Sequence, residues 1–147
     1  MDDPVLSNIL QENLLTLLCF DDKHAVIIRG LVEADLFESY YREIAKAVYV
    51  YIDTQKTAPK DHLADLFDTI IEKNDRKAKA FRNILRQLNQ TREGVNAKFV
   101  MERLSEFVRL QQLKGATMEV IEIFQSGRVD QEAMRKVESV LAQAMRK

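Results

Sequence analysis

From Asn96 to Ser126 the chain reads as one helix: no proline interrupts it, only Gly115 opposes it, and apolar residues recur at Val100, Leu104, Phe107, Leu113, Met118, Ile121 and Phe124. At 1.5 Å per residue such a helix would be roughly 45 Å long, too long to lie inside one compact domain of this size. The stretch IEIFQSGRVDQEAMRKV, residues 121–137, then ends one helix and starts another at once. Gly127 supplies the left-handed residue that closes the first, and Asp130 caps the second. Met134, Val137, Leu141 and Ala144 follow at steps of three and four, the spacing of a packing seam.

The chain is therefore expected to finish in a helical hairpin. Two helices alone bury too little apolar surface to offset the entropy of ordering them, so this hairpin must fold back onto the rest of the chain or be received by another copy. Its length favours projection, and apolar hairpins that project commonly mediate self-association. The expected oligomer interface is Phe107, Leu113, Met118, Ile121, Phe124, Val137 and Leu141.

The rest of the chain has the same helical character. Only 4 glycines and 2 prolines occur in 147 residues, and helix-compatible residues fill nearly every stretch, which predicts an all-α fold: a small helical bundle followed by a long hairpin. Asp3-Pro4 reads as a helix start, with Leu6, Leu10, Leu14, Leu17 and Leu18 at helical spacing over residues 4–19. Asp21-Asp22 closes that helix and caps a short second one, whose apolar members are Val26, Ile27, Leu31 and Val32. After the tight EADLF step, a third helix is expected over residues 39–56, with Ile44, Val48, Tyr51 and Ile52 on one face and Tyr49 available as an exposed interface anchor. Pro59 ends it. A helix over 61–73 would bury Leu63, Leu66, Phe67, Ile70 and Ile71; another over 76–90 groups Phe81, Ile84, Leu85 and Leu88. The polar NQTREGVN marks a boundary, giving a globular part over 1–93 and the hairpin over 94–147.

The net charge of -1 conceals segregation: residues 1–40 carry eight acidic and two basic side chains, residues 73–92 seven basic and one acidic. In the helix over 76–90, Arg76, Lys79, Arg82 and Arg86 fall opposite the apolar side, a basic stripe open to an acidic partner or to nucleic-acid phosphates, or simply solvated. Its one aromatic, Phe81, is directed to the core, so base stacking is not supported.

Nothing in the sequence reads as an active site. Two distant histidines, His24 and His62, and one cysteine, Cys19, match no zinc-ligand spacing, and the expected metal and catalytic residues are none. His62, Asp65 and Asp68 share a helix but read as a solvated face, and the four isolated glycines make no phosphate-binding loop. No apolar run approaches the roughly 20 residues needed to span a bilayer, which with the unpaired cysteine leads to an expectation of cytoplasmic location and no membrane partner.

The order of elements resembles the opening of the N-terminal domain of DnaB-type replicative DNA helicases, most closely the phage-encoded branch. The features that carry it are Leu14 to Leu18, the acidic turn Asp21-Asp22, the short helix Val26 to Val32, the Asp35-Leu36-Phe37 step with Glu38-Ser39, the long helix from Tyr41 to Thr54, and Ala58-Pro59. The likeness continues through the break before Asn96 to FVRLQQLKGATMEVIEIFQSG, which is similar to the family's hairpin. The resemblance implies a domain that pairs through its hairpin, as a dimer or as a trimer of dimers, into a collar above a hexameric ring of RecA-like ATPase domains, where primase and helicase loaders act. The ring domain, with its phosphate-binding loop, is absent from this sequence, so ATP, Mg and most DNA contact belong to it, and this chain is expected neither to hydrolyse ATP nor to unwind DNA. The helicase-binding C-terminal domain of bacterial primase has a similar body and hairpin and is the alternative; an unrelated helical adaptor is a third. Met1 close before the first helix favours the helicase.

Overall fold

The computed structural model describes residues 6–68, 76–127 and 130–146, and every regular element among them is helical, as the composition requires. Among the described residues six α-helices can be followed from end to end: α1 (Asn8–Phe20), α2 (Asp22–Leu31), α3 (Ser39–Gln55), α4 (Arg76–Thr91), α5 (Ala97–Gln125) and α6 (Gln131–Met145). Short 3-10 turns occupy Ala34–Leu36, Lys60–His62 and Ala64–Phe67. The chain clusters into two compact units, one over Val5–Arg103 and one built on Leu104–Lys147, so the division falls within α5 and not at the polar break before Asn96.

The first unit is organised around α1. Its LLTLLCF segment is apolar on every side, and a helix apolar all round has to be enclosed. α2, α3 and α4 all pack against it, leaving Leu14, Leu15, Leu17, Leu18 and Cys19 buried. Each enclosed leucine contributes about 1.5–3 kcal/mol. α1 opens at Ser7, whose Oγ accepts from the Leu10 amide at 3.2 Å, and so begins later than the expected Asp3-Pro4 start, which lies outside the described residues. Asp21 performs the double task read from the sequence: its amide donates to Leu17 at the end of α1, and its carboxylate accepts from the His24 amide at 3.1 Å at the start of α2.

Of the four apolar members read for the second helix, Val32 alone is buried. Ala25, Ile28 and Val32 face α1 and α3, while Val26, Ile27 and Leu31 are exposed. In a ten-residue helix with apolar residues around most of its circumference, spacing alone does not select the buried side, which is set by the packing of α2 on α1 and α3. On α3, Ile44, Ala45, Val48, Tyr49 and Ile52 are buried and Tyr51 is half-exposed, so the expected roles of the two tyrosines are exchanged.

Residues 60–67 form two 3-10 turns where the sequence suggested the opening of a longer α-helix; Ile70 and Ile71 lie outside the described residues. These turns still bury Leu63 and Phe67, and Phe67 stacks on Phe81 of α4 with ring centroids 5.6 Å apart. Tyr40 completes the cluster edge-on to Phe81 at 5.2 Å.

The second unit is the helical hairpin. Gly127, at φ 75, ends α5 in the left-handed region that only glycine enters without strain. Asp130 then caps α6, accepting from the Ala133 amide at 2.8 Å. At the far end the Arg109 guanidinium donates to the carbonyls of Ala144 and Arg146. It thereby satisfies terminal carbonyls that α6 cannot pair itself and sets a positive charge at the negative end of its dipole.

Candidate interaction surfaces

The hairpin has two different flanks. On one, α5 and α6 line two clefts of about 500 and 450 Å³ whose walls carry Gln112, Glu119, Glu122, Lys136, Ser139 and Gln143. Half-buried Ala116, Ile123, Val140 and Ala144 form the seam beside them. At 100° per residue, the opposite flank of α5 presents Leu110, Leu113, Met118, Ile121 and Phe124, and that of α6 presents Met134, Leu141 and Met145. Among these, Met118 is 44% exposed, Ile121 37% and Phe124 67%.

Of the seven interface residues expected from sequence, four (Met118, Ile121, Phe124 and Leu141) are exposed on this flank. Leu113 and Val137 are half-buried, and Phe107 is buried within the chain. Leu110 and Met145, at 56% and 68% exposure, extend the flank and were missed, although both continue the same three-and-four spacing.

The fold sorts the cations of α4. Ala78, Phe81 and Leu88 are buried, Ile84 and Leu85 half-buried. Arg76, Lys79 and Arg86 are exposed on the far side, with Arg82 half-buried at its margin. Lys77 turns toward α3, where its Nζ donates to Glu43 Oε1 at 2.9 Å. Arg92, beyond the helix, lies over the Phe20 ring at 4.4 Å and is drawn into the packing of the body.

The remaining polar features hold the body together. The Arg29 guanidinium reaches Asp53 through two parallel hydrogen bonds of 3.1 Å and stacks over the Tyr49 ring at 4.5 Å. The bond from Arg29 holds the Asp53 carboxyl below the ordinary range. Burial raises the Cys19 thiol far above its usual value, so it stays protonated and unreactive. Among the described residues no three His, Cys, Asp or Glu side chains converge as metal ligands, and no helix is long and apolar enough to cross a membrane. Comparison with protein-family models, characterised proteins and solved structures finds no match for this chain.

Proposed function

We propose that the chain is a non-catalytic assembly domain that acts as the collar element of a DnaB-type replicative helicase. In this reading the hairpin pairs with the hairpin of a second copy, and the helical body is the surface offered to primase and to a helicase loader. The observation that supports it best is the exposed apolar flank of the hairpin, centred on Ile121 and Phe124, on a unit that clusters apart from the body. An apolar ledge of this kind on a soluble helical unit is characteristic of a protein-binding surface. The antiparallel arrangement of α5 and α6 also suits a two-fold contact in which the same patch serves both partners.

The partner side of the proposal is tested by titrating the chain with the primase and the loader encoded in the same genome. Binding of either by isothermal titration calorimetry supports the replication role. An absence of heat with both at tens of micromolar would leave a self-associating helical scaffold with no part in replication.

A further inference from the structure

α4 carries five cations, Arg76, Lys77, Lys79, Arg82 and Arg86, and no carboxylate in its sixteen residues. Packing removes Lys77 to Glu43 and the apolar side chains to the core, leaving a separate outer face. Along that face run Arg76, Lys79, Asn83, Arg86 and Gln90, all exposed, over a length of about 21 Å. Among the described residues no ion pair engages Arg76, Lys79 or Arg86.

Two kinds of polyanion could meet such a face, an acidic protein or a nucleic acid, and the composition separates them. Protein interfaces centre on an aromatic or aliphatic anchor that fills a pocket. This face has none: its outward side chains are cations and primary amides, the groups that contact phosphate oxygens. Phe81, the only aromatic of α4, is buried, so no platform for base stacking accompanies the charge. We infer that the outer face of α4 binds the phosphate backbone of nucleic acid without sequence preference, through Arg76, Lys79 and Arg86, with Asn83 and Gln90 as neutral donors. This surface would function whether or not the hairpin serves a helicase.

The test is fluorescence anisotropy of the full chain with labelled oligothymidylate and, separately, a labelled random-sequence duplex, titrated from about 20 to about 200 mM salt, where backbone contacts dominate. Binding to at least one probe is expected, with log K falling against log salt at a slope of about -2 to -3, as three neutralised phosphates require. The two probes decide between single and double strands. Replacing Arg76, Lys79 and Arg86 together by Gln should weaken binding at least tenfold and flatten the slope. A control that replaces Lys23, Lys98 and Arg135 by Gln, removing equal charge elsewhere, should bind as the parent does. Polyglutamate should not compete, and amide shifts in the unmodified chain should map to α4, which keeps the inference testable if the triple variant folds poorly. Failure to bind either probe at low salt, equal weakening by both variants, equal competition by polyglutamate, or shifts confined to the hairpin would each overturn it.

Discussion

The Tyr49 hydroxyl donates a 2.8 Å hydrogen bond to the carbonyl of Val32, the C-cap residue just after α2, and both partners are buried. The bond pairs a carbonyl at a helix end where none is available from within the helix, and it fixes α2 against α3. Tyr49→Phe leaves that carbonyl unpaired away from water and should cost about 1–3 kcal/mol. Urea unfolding of the two proteins at neutral pH reads the difference; coincident midpoints would show that water reaches the carbonyl.

Gln11 plays a similar part in the first turn of α1. It is fully buried; its Nε2 donates to the Leu6 carbonyl at 2.9 Å and its Oε1 accepts from the Glu38 amide at 2.8 Å. One side chain thus ties the approach to α1 to the start of α3. Gln11→Leu keeps the bulk and orphans both backbone groups, for an expected loss of about 2–4 kcal/mol. A thermal melt that shows no loss would mean that the two segments re-pair without the amide.

Asp22 gives the body an acid-sensitive fastening. Its carboxylate accepts from Lys60 Nζ at 2.7 Å and from the Ala58 amide at 2.9 Å, and these bonds hold its carboxyl below the ordinary value. A carboxyl depressed in the folded state stabilises above its unfolded pKa, and the contribution disappears as pH falls through the folded one. Asp22→Asn should therefore melt at lower temperature than the parent at pH 7, and the gap should close below about pH 4. A gap unchanged at low pH would assign the effect to packing instead.

Lys56 ends α3 in the left-handed region at φ 61, with its amide donating to Ile52 at 2.8 Å. A lysine there carries strain that glycine does not. Lys56→Gly should raise stability by up to about 1 kcal/mol, less the added entropy of the unfolded chain. A lower melting temperature would show that the lysine side chain contributes more than the strain costs.

Much of this fold was legible in local chemistry. Asp21, Asn96, Gly127 and Asp130 mark helix ends because a cap depends only on one residue and its own neighbours: the side-chain Oδ1 of Asn96, where the long helix was read to begin, accepts from the Phe99 amide at 3.0 Å. Faces were harder to read. Val26, Ile27 and Leu31 are more apolar than Ala25, but the choice of buried side depends on how closely α1 and α3 approach, which spacing within α2 does not encode. Tyr49 and Tyr51 were exchanged for the same reason, since the Val32 carbonyl that fixes Tyr49 lies seventeen residues away. Over residues 60–67 the local pattern allows a regular helix, and the sequence did not reveal that Phe67 reaches its stack on Phe81 from a 3-10 turn. For the hairpin, periodicity identified the apolar positions, but the sequence did not separate the buried Phe107 from the exposed Phe124.

The most direct measurement is the mass of the chain by light scattering, from about one to several tens of micromolar, alone and as the Ile121→Asp variant. The proposed hairpin contact predicts a dimer or a larger multiple at the upper concentrations, and a monomeric variant whose far-ultraviolet circular dichroism matches the parent. A parent that stays monomeric throughout, or a variant that keeps the parent's mass, would contradict assembly through this flank.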